Sequence, residues 1–239
     1  MGQLVGVHGG LFGMRQFSNA LVLGAHGGIG GALADLLEAS GAQVVRISRK
    51  DQDFDITCEQ NIADVMSGMG DTPYDLVFNA TGFLHGDGIM PEKTLRQLSK
   101  EALTKNFETN AIGPALLLKQ LSLTMPRSHE FVAVSLSARV GSISDNKLGG
   151  WYSYRSAKAA QNQLIRSAAI EFRRTHPKAI LLALHPGTVA SALSEPFAKS
   201  GLRVRPPQQA AQEIHSVLQA LTFDDHGRFV DHEGKDIPW

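Results

Sequence analysis

The sequence predicts a single doubly wound α/β domain, a parallel sheet with helices on both faces. Three observations predict it. Short apolar runs alternate with segments of helical periodicity, the first run closes on a cluster of glycines, and the connections are long enough for crossover helices. The 239 residues fall between one domain and two at about 150 residues per domain. No linker divides them, so one domain is expected over residues 19–239. The 23 acidic residues balance the 23 basic ones. That balance excludes partners held by bulk charge, nucleic acid among them, and leaves a small molecule as the expected partner. Apolar stretches such as residues 179–184 are far shorter than the roughly 20 residues that cross a bilayer, so no membrane span is expected. With one cysteine, Cys58, and no secretory pattern in residues 1–20, a reducing cytoplasm is the expected compartment.

The Gly-rich residues 1–18 carry neither helical nor strand periodicity and read as an N-terminal extension that its composition allows to be mobile. Residues 20–25, "ALVLGA", form an apolar run that ends in glycine, the pattern of a strand buried on both faces. Residues 29–39 place apolar side chains at helical spacing and stop at Gly41. "QVVRIS" (43–48) is a second strand, completing a βαβ unit. "DLVFNATG" (75–82) is a third, followed by a long helical region over about 100–125. Next come the strand "FVAVSLS" (131–137), a helix over about 152–175, the strand "AILLAL" (179–184) and a helix over about 207–221.

In such a sheet the ligand lies beyond the carboxyl ends of the strands. After the first strand stands "GAHGGIG": Gly24, Ala25, His26, Gly27, Gly28, Ile29 and Gly30. Glycines there let the backbone turn sharply and approach a pyrophosphate, whose charge the helix start receives. Alone the turn is also compatible with a plain tight turn. With its strand and helix, it makes a Rossmann-type dinucleotide site the expectation. At the tip of the second strand an Asp or Glu would hydrogen-bond the ribose hydroxyls of NAD. Here Ser48, Arg49 and Lys50 follow instead. NADP is therefore expected, with Arg49 as the main contact to the 2′-phosphate and Ser48 assisting. If Asp51 occupies the tip, NAD is the cofactor, and a solvated basic turn is the alternative for Arg49 and Lys50.

Tyr154 and Lys158 are four residues apart in "YSYRSAK", on one face of the expected helix. A phenol with a pKa near 10 must fall by about 2 to 3 pH units to exchange protons readily at neutral pH. A cation about 4 Å away contributes roughly 4 kcal/mol at an effective dielectric near 20, which is sufficient. A bare Tyr-x-x-x-Lys is also common on amphipathic helix surfaces. Tyr152 has Ser156 four residues on and cannot take the same role.

These motifs resemble the short-chain dehydrogenase/reductase family over nearly the whole chain from Asn19, most closely its C-factor and carbonyl-reductase-like branch. "GAHGGIG" is similar to the family's cofactor turn, and "NATG" (79–82) to its Asn-Asn-Ala-Gly segment. Asn110 stands where the family has its helix asparagine, Tyr154 and Lys158 match its catalytic pair, and "HPGTV" (185–189) matches its Pro-Gly segment. The resemblance implies an oxidoreductase that transfers a hydride between nicotinamide and a small carbonyl compound or secondary alcohol. It implies Tyr154 as general acid or base and Lys158 as holder of the nicotinamide ribose. Asn110 would support a water linking Lys158 to solvent, and a serine would bond the substrate oxygen. Of Ser135 and Ser137, the second is preferred because it ends its strand.

It further implies Asp55 with Ile56 at the adenine, Asn79, Ala80, Gly82, Pro186 and Gly187 lining the cofactor, and Thr188 at the carboxamide. His26, Gly28, Ile29 and Gly30 would lie at the phosphates. A homodimer or homotetramer through the two long helices is also implied, as is a mobile lid over residues 190–202, with Leu193 and Phe197 as apolar contacts. Two departures stand out: Leu23 replaces the usual threonine before Gly24, and Gly27 replaces a frequent basic residue. The alternative function is a cofactor-binding signalling or regulatory protein with little turnover. No metal site is expected. The histidines lack ligand spacing, and Asp224, Asp225, His226, Asp231 and His232 fit a polar hairpin around Gly227 and Gly234.

Overall fold

A computed structural model describes residues 14–52, 54–70, 72–190 and 204–239. The expected lid, with Leu193 and Phe197, and most of the N-terminal extension lie outside the described residues. The elements run β1 (Asn19–Leu23), α1 (Gly28–Ala39), β2 (Gln43–Ile47), α2 (Arg49–Gln52), α3 (Glu59–Ser67) and β3 (Leu76–Asn79). After these come α4 (Lys100–Phe107), a π turn (Glu108–Ile112), α5 (Gly113–Thr124), β4 (Phe131–Leu136) and α6 (Tyr152–Thr175). The chain closes with β5 (Ala179–His185), α7 (Pro207–Ala220) and β6 (Arg228–Asp231).

All six strands are parallel, in the order β2-β1-β3-β4-β5-β6. Strand order reverses between β1 and β3, and the register aligns Leu23 with both Ile47 and Asn79. The carboxyl ends of β1 and β3 therefore frame a crevice at the topological switch point. Alternate side chains feed two cores. Leu21, Val77, Phe131 and Leu181 pack with Ile62 of α3, Leu121 of α5 and Phe172 of α6. Val22, Phe78, Val134 and Leu182 pack with Leu37 of α1 and Ile214 of α7. Burial on both faces is why these strands read as unbroken apolar runs.

Two expectations change. The region over 100–125 is not one regular helix but α4, a π turn and α5. Its fit to the neighbouring loop is close: a side chain on Gly113 would meet the carbonyl oxygen of Ile56 at 2.6 Å. The polar C-terminal stretch contains an edge strand, β6, inside the expected hairpin. Gly227 at φ +79 turns the chain into it and donates to Leu181, and Val230 then bridges back to Asp236. The polar groups here serve one another. Asp225 takes Thr222 and Arg228, the Asp231 carboxylate takes the amides of Glu233 and Lys235, and His226 lies between Leu181 and Ala169. The described residues hold no group of three potential metal ligands, and none of their helices is long and apolar enough to cross a membrane. Residues 14–18 lie against the domain, with Phe17 buried and Arg15 paired with Glu130.

His185 ends β5 where burial, reinforced by the Arg139 charge, lowers its pKa to about 4. Between that value and the unfolded one near 6.5, the unfolded chain binds a proton that the fold refuses. Stability therefore rises with pH across this window and is lost as pH falls through it. Urea unfolding at pH 4.5 and 7 should show a loss at the lower pH that shrinks by up to roughly 3 kcal/mol in His185→Asn. Equal pH dependence in the two proteins would reject the assignment.

Candidate active site

The first glycine of the turn after β1 has a positive φ of 80° and donates to Ile47 of β2. A side chain there would meet the Ala80 backbone at 3.0 Å, and one on Gly30 would meet the Gly24 oxygen at 2.4 Å and the Ala80 methyl at 3.1 Å. Both glycines let α1 start directly against the ends of β1 and β3. Gly27 and Gly28 are exposed at that start. No side chain caps it and no acidic residue occupies its first turn. Amides at the positive end of a helix, uncapped by a side chain of the N-cap residue, fit a pyrophosphate.

At the neighbouring corner Ile47 is the last residue of β2 and Ser48 comes next. The His26 ring lies 2.6 Å from the Ser48 hydroxyl, which also accepts from the Lys50 amide at 3.2 Å. Arg49 is exposed at the start of α2. Asp51 falls three residues beyond Ser48, inside α2. Asp55 is also at the surface, but its carboxylate accepts from the Thr57 amide and hydroxyl, and Ile56 is buried. Asn79 turns inward: it accepts from Thr81 and its amide lies 3.5 Å from Ser135. Gly82 adjoins Asn110, whose oxygen is 3.4 Å from where a Gly82 side chain would begin.

Tyr154 and Lys158 lie together on α6, 8% and 3% exposed. The lysine nitrogen is 5.8 Å from the centre of the tyrosine ring. It donates to the Leu136 carbonyl at 2.8 Å and to the Gln161 side-chain oxygen at 2.9 Å. The helix can approach this closely because the neighbouring turn has Gly141, where a side chain would meet the Lys158 Cβ at 2.8 Å. The expected fall in the tyrosine pKa is absent from this arrangement. Burial holds the phenol well above its usual range and lowers the ammonium to about 7, since removing either charge from water is costly. Trp151 packs edge-on against the Tyr154 ring, with 6.2 Å between centres.

Both candidate serines are buried. Ser137 donates its hydroxyl to the Asn162 side-chain oxygen at 2.6 Å, so in this arrangement it faces α6. Asn110 lies in the π turn with its side chain saturated: it accepts from the Phe83 amide and donates to the Phe83 carbonyl and to Asn106. Beyond β5, Pro186, Gly187 and Thr188 are partly exposed and tied to Arg205. Its guanidinium donates to the Pro186 carbonyl, its amide donates to the Thr188 carbonyl, and Glu213 pairs with it at 3.1 Å. Gly187, at φ +75, leaves the room that this guanidinium fills. The sequence reading missed Gln161, Asn162, Asn106, Arg205 and Glu92. Gln161 and Asn162 carry a signal, since they stand three and four residues after Lys158 on the same helix face. A separate groove of about 530 Å³ between α7 and β6 is lined by none of these site residues.

Comparison with known proteins agrees with this fold. A family model described as enoyl-(acyl carrier protein) reductase matches residues 24–205. The chain is 28% identical over 239 residues to 1-hydroxy-2-glutathionyl-2-methyl-3-butene dehydrogenase of Rhodococcus sp. (strain AD45), covering 93% of this chain and all of that one. It is 30% identical over 141 residues to C-signal of Myxococcus xanthus, covering 57% of this chain and 78% of the relative. The fold also matches the NADPH-bound carbonyl reductase from chicken fatty liver, with a TM-score of 0.79 at 22% identity over 94% of this chain and 100% of that one. From the glycine turn through to the Pro-Gly segment, this chain belongs to the short-chain dehydrogenase/reductase family, oxidoreductases that act on alcohol and carbonyl groups with a nicotinamide cofactor.

Proposed function

We propose that the protein is an NADP-preferring carbonyl reductase in which Tyr154 protonates the substrate oxygen and Lys158 supports it. The observation that carries this reading is the joint burial of Tyr154 and Lys158 on one face of α6. The bound cofactor supplies the hydride; the chain supplies geometry, a proton and exclusion of water. Gly24, Gly28, Ile29 and Gly30 would take the pyrophosphate, with Asp55 and Ile56 toward the adenine. Asn79, Ala80, Gly82, Pro186, Gly187 and Thr188 would line the nicotinamide half. Asn110 would act through the backbone of its π turn, because its side chain is already saturated. Ser137 would need to leave Asn162 to reach a substrate oxygen.

Support for NADP comes from the β2 tip, where Ser48 directly follows the strand and Arg49 stands exposed beside it. Exposed Ile112, Leu123, Leu164 and Ile170 around α5 and α6 support a homo-oligomer through these helices, in a reducing cytoplasm. Kinship with C-signal is the observation that favours a second reading, a cofactor-binding regulatory protein with little turnover. A buried phenol and ammonium weigh against it, since a pure binder gains nothing from holding both out of water.

A panel of aldehydes, ketones and quinones assayed by NADPH oxidation tests the reading. Turnover should appear with at least one and fall by about a hundredfold or more in Tyr154→Phe. Activity that survives in that variant refutes the proton role, and inactivity across the panel favours the regulatory reading. For the free enzyme, kcat/KM should be highest below pH 7 and decline above it. Tyr154 keeps its proton throughout, whereas Lys158 loses its charge as pH rises through about 7. A profile flat from pH 6 to 9 would contradict this. Arg49→Ala should raise KM for NADPH by about tenfold or more and leave KM for NADH nearly unchanged; equal changes would reject the phosphate contact.

A further inference from the structure

We propose that Glu92 is a positioning residue for Tyr154, holding the first turn of α6 from outside the helix. The inference rests on the proposed role of Tyr154 as the proton donor. Glu92 is 3% exposed, while Met90 and Leu95 in the same loop are 57% and 64% exposed. A segment that leaves its apolar side chains in water and buries its carboxylate is not packing for hydrophobic gain. Carboxylates are almost never fully buried unless paired, and no ion pair to Glu92 forms among the described residues. Its partner is the start of α6.

One carboxylate oxygen accepts from the Ser153 amide at 3.2 Å and the other from the Ser153 hydroxyl. The Glu92 backbone carbonyl accepts from the Trp151 amide. The first turn of α6 has no cap of its own: its N-cap is Trp151, which makes no side-chain capping bond and adopts a left-handed φ of 51°. That conformation is strained for a residue with a Cβ. It persists here between Gly150, also at positive φ, and the bond to Glu92. Thus Glu92 supplies, from some 60 residues upstream, the negative charge and acceptors that a helix start ordinarily takes from its own cap.

The position of this clamp gives it a consequence for chemistry. Ser153 immediately precedes Tyr154, and Trp151 packs edge-on against the Tyr154 ring. Releasing the clamp frees one turn of helix, and that turn carries the phenol. Lys158, a turn further on, keeps its own anchors at Leu136 and Gln161. The glycine turn after β1 is untouched. Loss of Glu92 should therefore misplace the proton donor without loosening the cofactor.

The test compares Glu92→Ala, Glu92→Gln, Ser153→Ala and Tyr154→Phe in the full chain. Readouts are steady-state carbonyl reduction, NADPH affinity by fluorescence, and Trp151 emission without cofactor in a Trp239→Phe background. Glu92→Ala should lower kcat by about tenfold, leave NADPH affinity within about twofold, and shift Trp151 emission to the red. Glu92→Gln keeps an acceptor for the Ser153 amide and a donor for its hydroxyl, and should recover most of kcat and the native emission. If Glu92→Ala fails to fold, Ser153→Ala decides by the same split: lowered kcat with unchanged NADPH affinity supports the proposal, and unchanged kcat overturns it. A Glu92→Ala enzyme with kcat within about twofold of the parent overturns it, as does parallel loss of kcat and NADPH affinity, the signature of general loosening. An active Tyr154→Phe would sink the proton-donor reading itself, whereas an inactive Tyr154→Phe beside an active Glu92→Ala sinks only the role of Glu92.

Discussion

The site depends on keeping a lysine ammonium out of water. Moving such an ion into a low-dielectric interior costs several kcal/mol even after relaxation, and Lys158 is almost fully enclosed. Two acceptors and an aromatic face offset that cost: the last carbonyl of β4, the Gln161 side chain and the ring of Tyr154. The first depends on α6 lying close to the end of β4, an approach that Gly141 makes possible, while the other two come from α6 itself. Gln161 also donates to the Leu136 carbonyl, so that one oxygen gathers lysine and glutamine together. Beside it, Ser137 and Asn162 bond to each other. The interface between the sheet and α6 is thus a polar layer within an otherwise apolar core, and a partly satisfied layer of this kind is costly.

The same desolvation sets the resting protonation states. An enclosed phenol resists ionising and an enclosed amine resists protonation, so burial opposes the electrostatic help expected from spacing alone. Tyr154 rests as an acid. Under the proposed reading this favours carbonyl reduction, which consumes a proton at the substrate oxygen, over alcohol oxidation, which needs the phenolate first. Proximity of Lys158 then matters as a charge that strengthens the phenol's donation when the oxygen becomes negative, more than as a means of lowering a ground-state pKa.

Much of this was legible in the sequence, because it rests on local pattern. Helix α6 reads as 152–175 from periodicity, and β1, β3, β4 and β5 read as apolar runs because both sheet faces are covered. The glycine turn reads because backbone geometry admits nothing larger at Gly24 and Gly30. What was not legible depends on partners distant in sequence. Strand β6 has only Phe229 and Val230 as apolar content and exists because β5 offers it an edge. Helix α3 was missed for its brevity, its inward face resting on Ile62 and Met66. The π turn cannot be seen in periodicity, since one altered turn shifts phase without breaking it. Whether Ser137 faces a substrate or Asn162 is a matter of rotamer, and no spacing encodes that. Glu92 looks like any loop carboxylate until the start of α6 is laid on it.

The turn after β1 shows how the chain distributes charge recognition. Where the family resemblance leads one to expect a basic residue this chain has Gly27, so the pyrophosphate would be met by the amides and dipole at the start of α1 rather than by a formal charge. Those amides attract any phosphate alike and cannot distinguish the two nicotinamide cofactors. Discrimination then falls to the tip of β2, where His26 meets Ser48 and where Arg49 and Lys50 are the exposed cations. A 2′-phosphate placed there would meet cations and a hydroxyl. Asp51, the residue whose place at the tip would favour NAD, stands three residues past Ser48 in the backbone of α2. Under the proposed reading the uncharged glycine turn serves both cofactors alike, and the choice between them rests on the corner at the β2 tip where they differ.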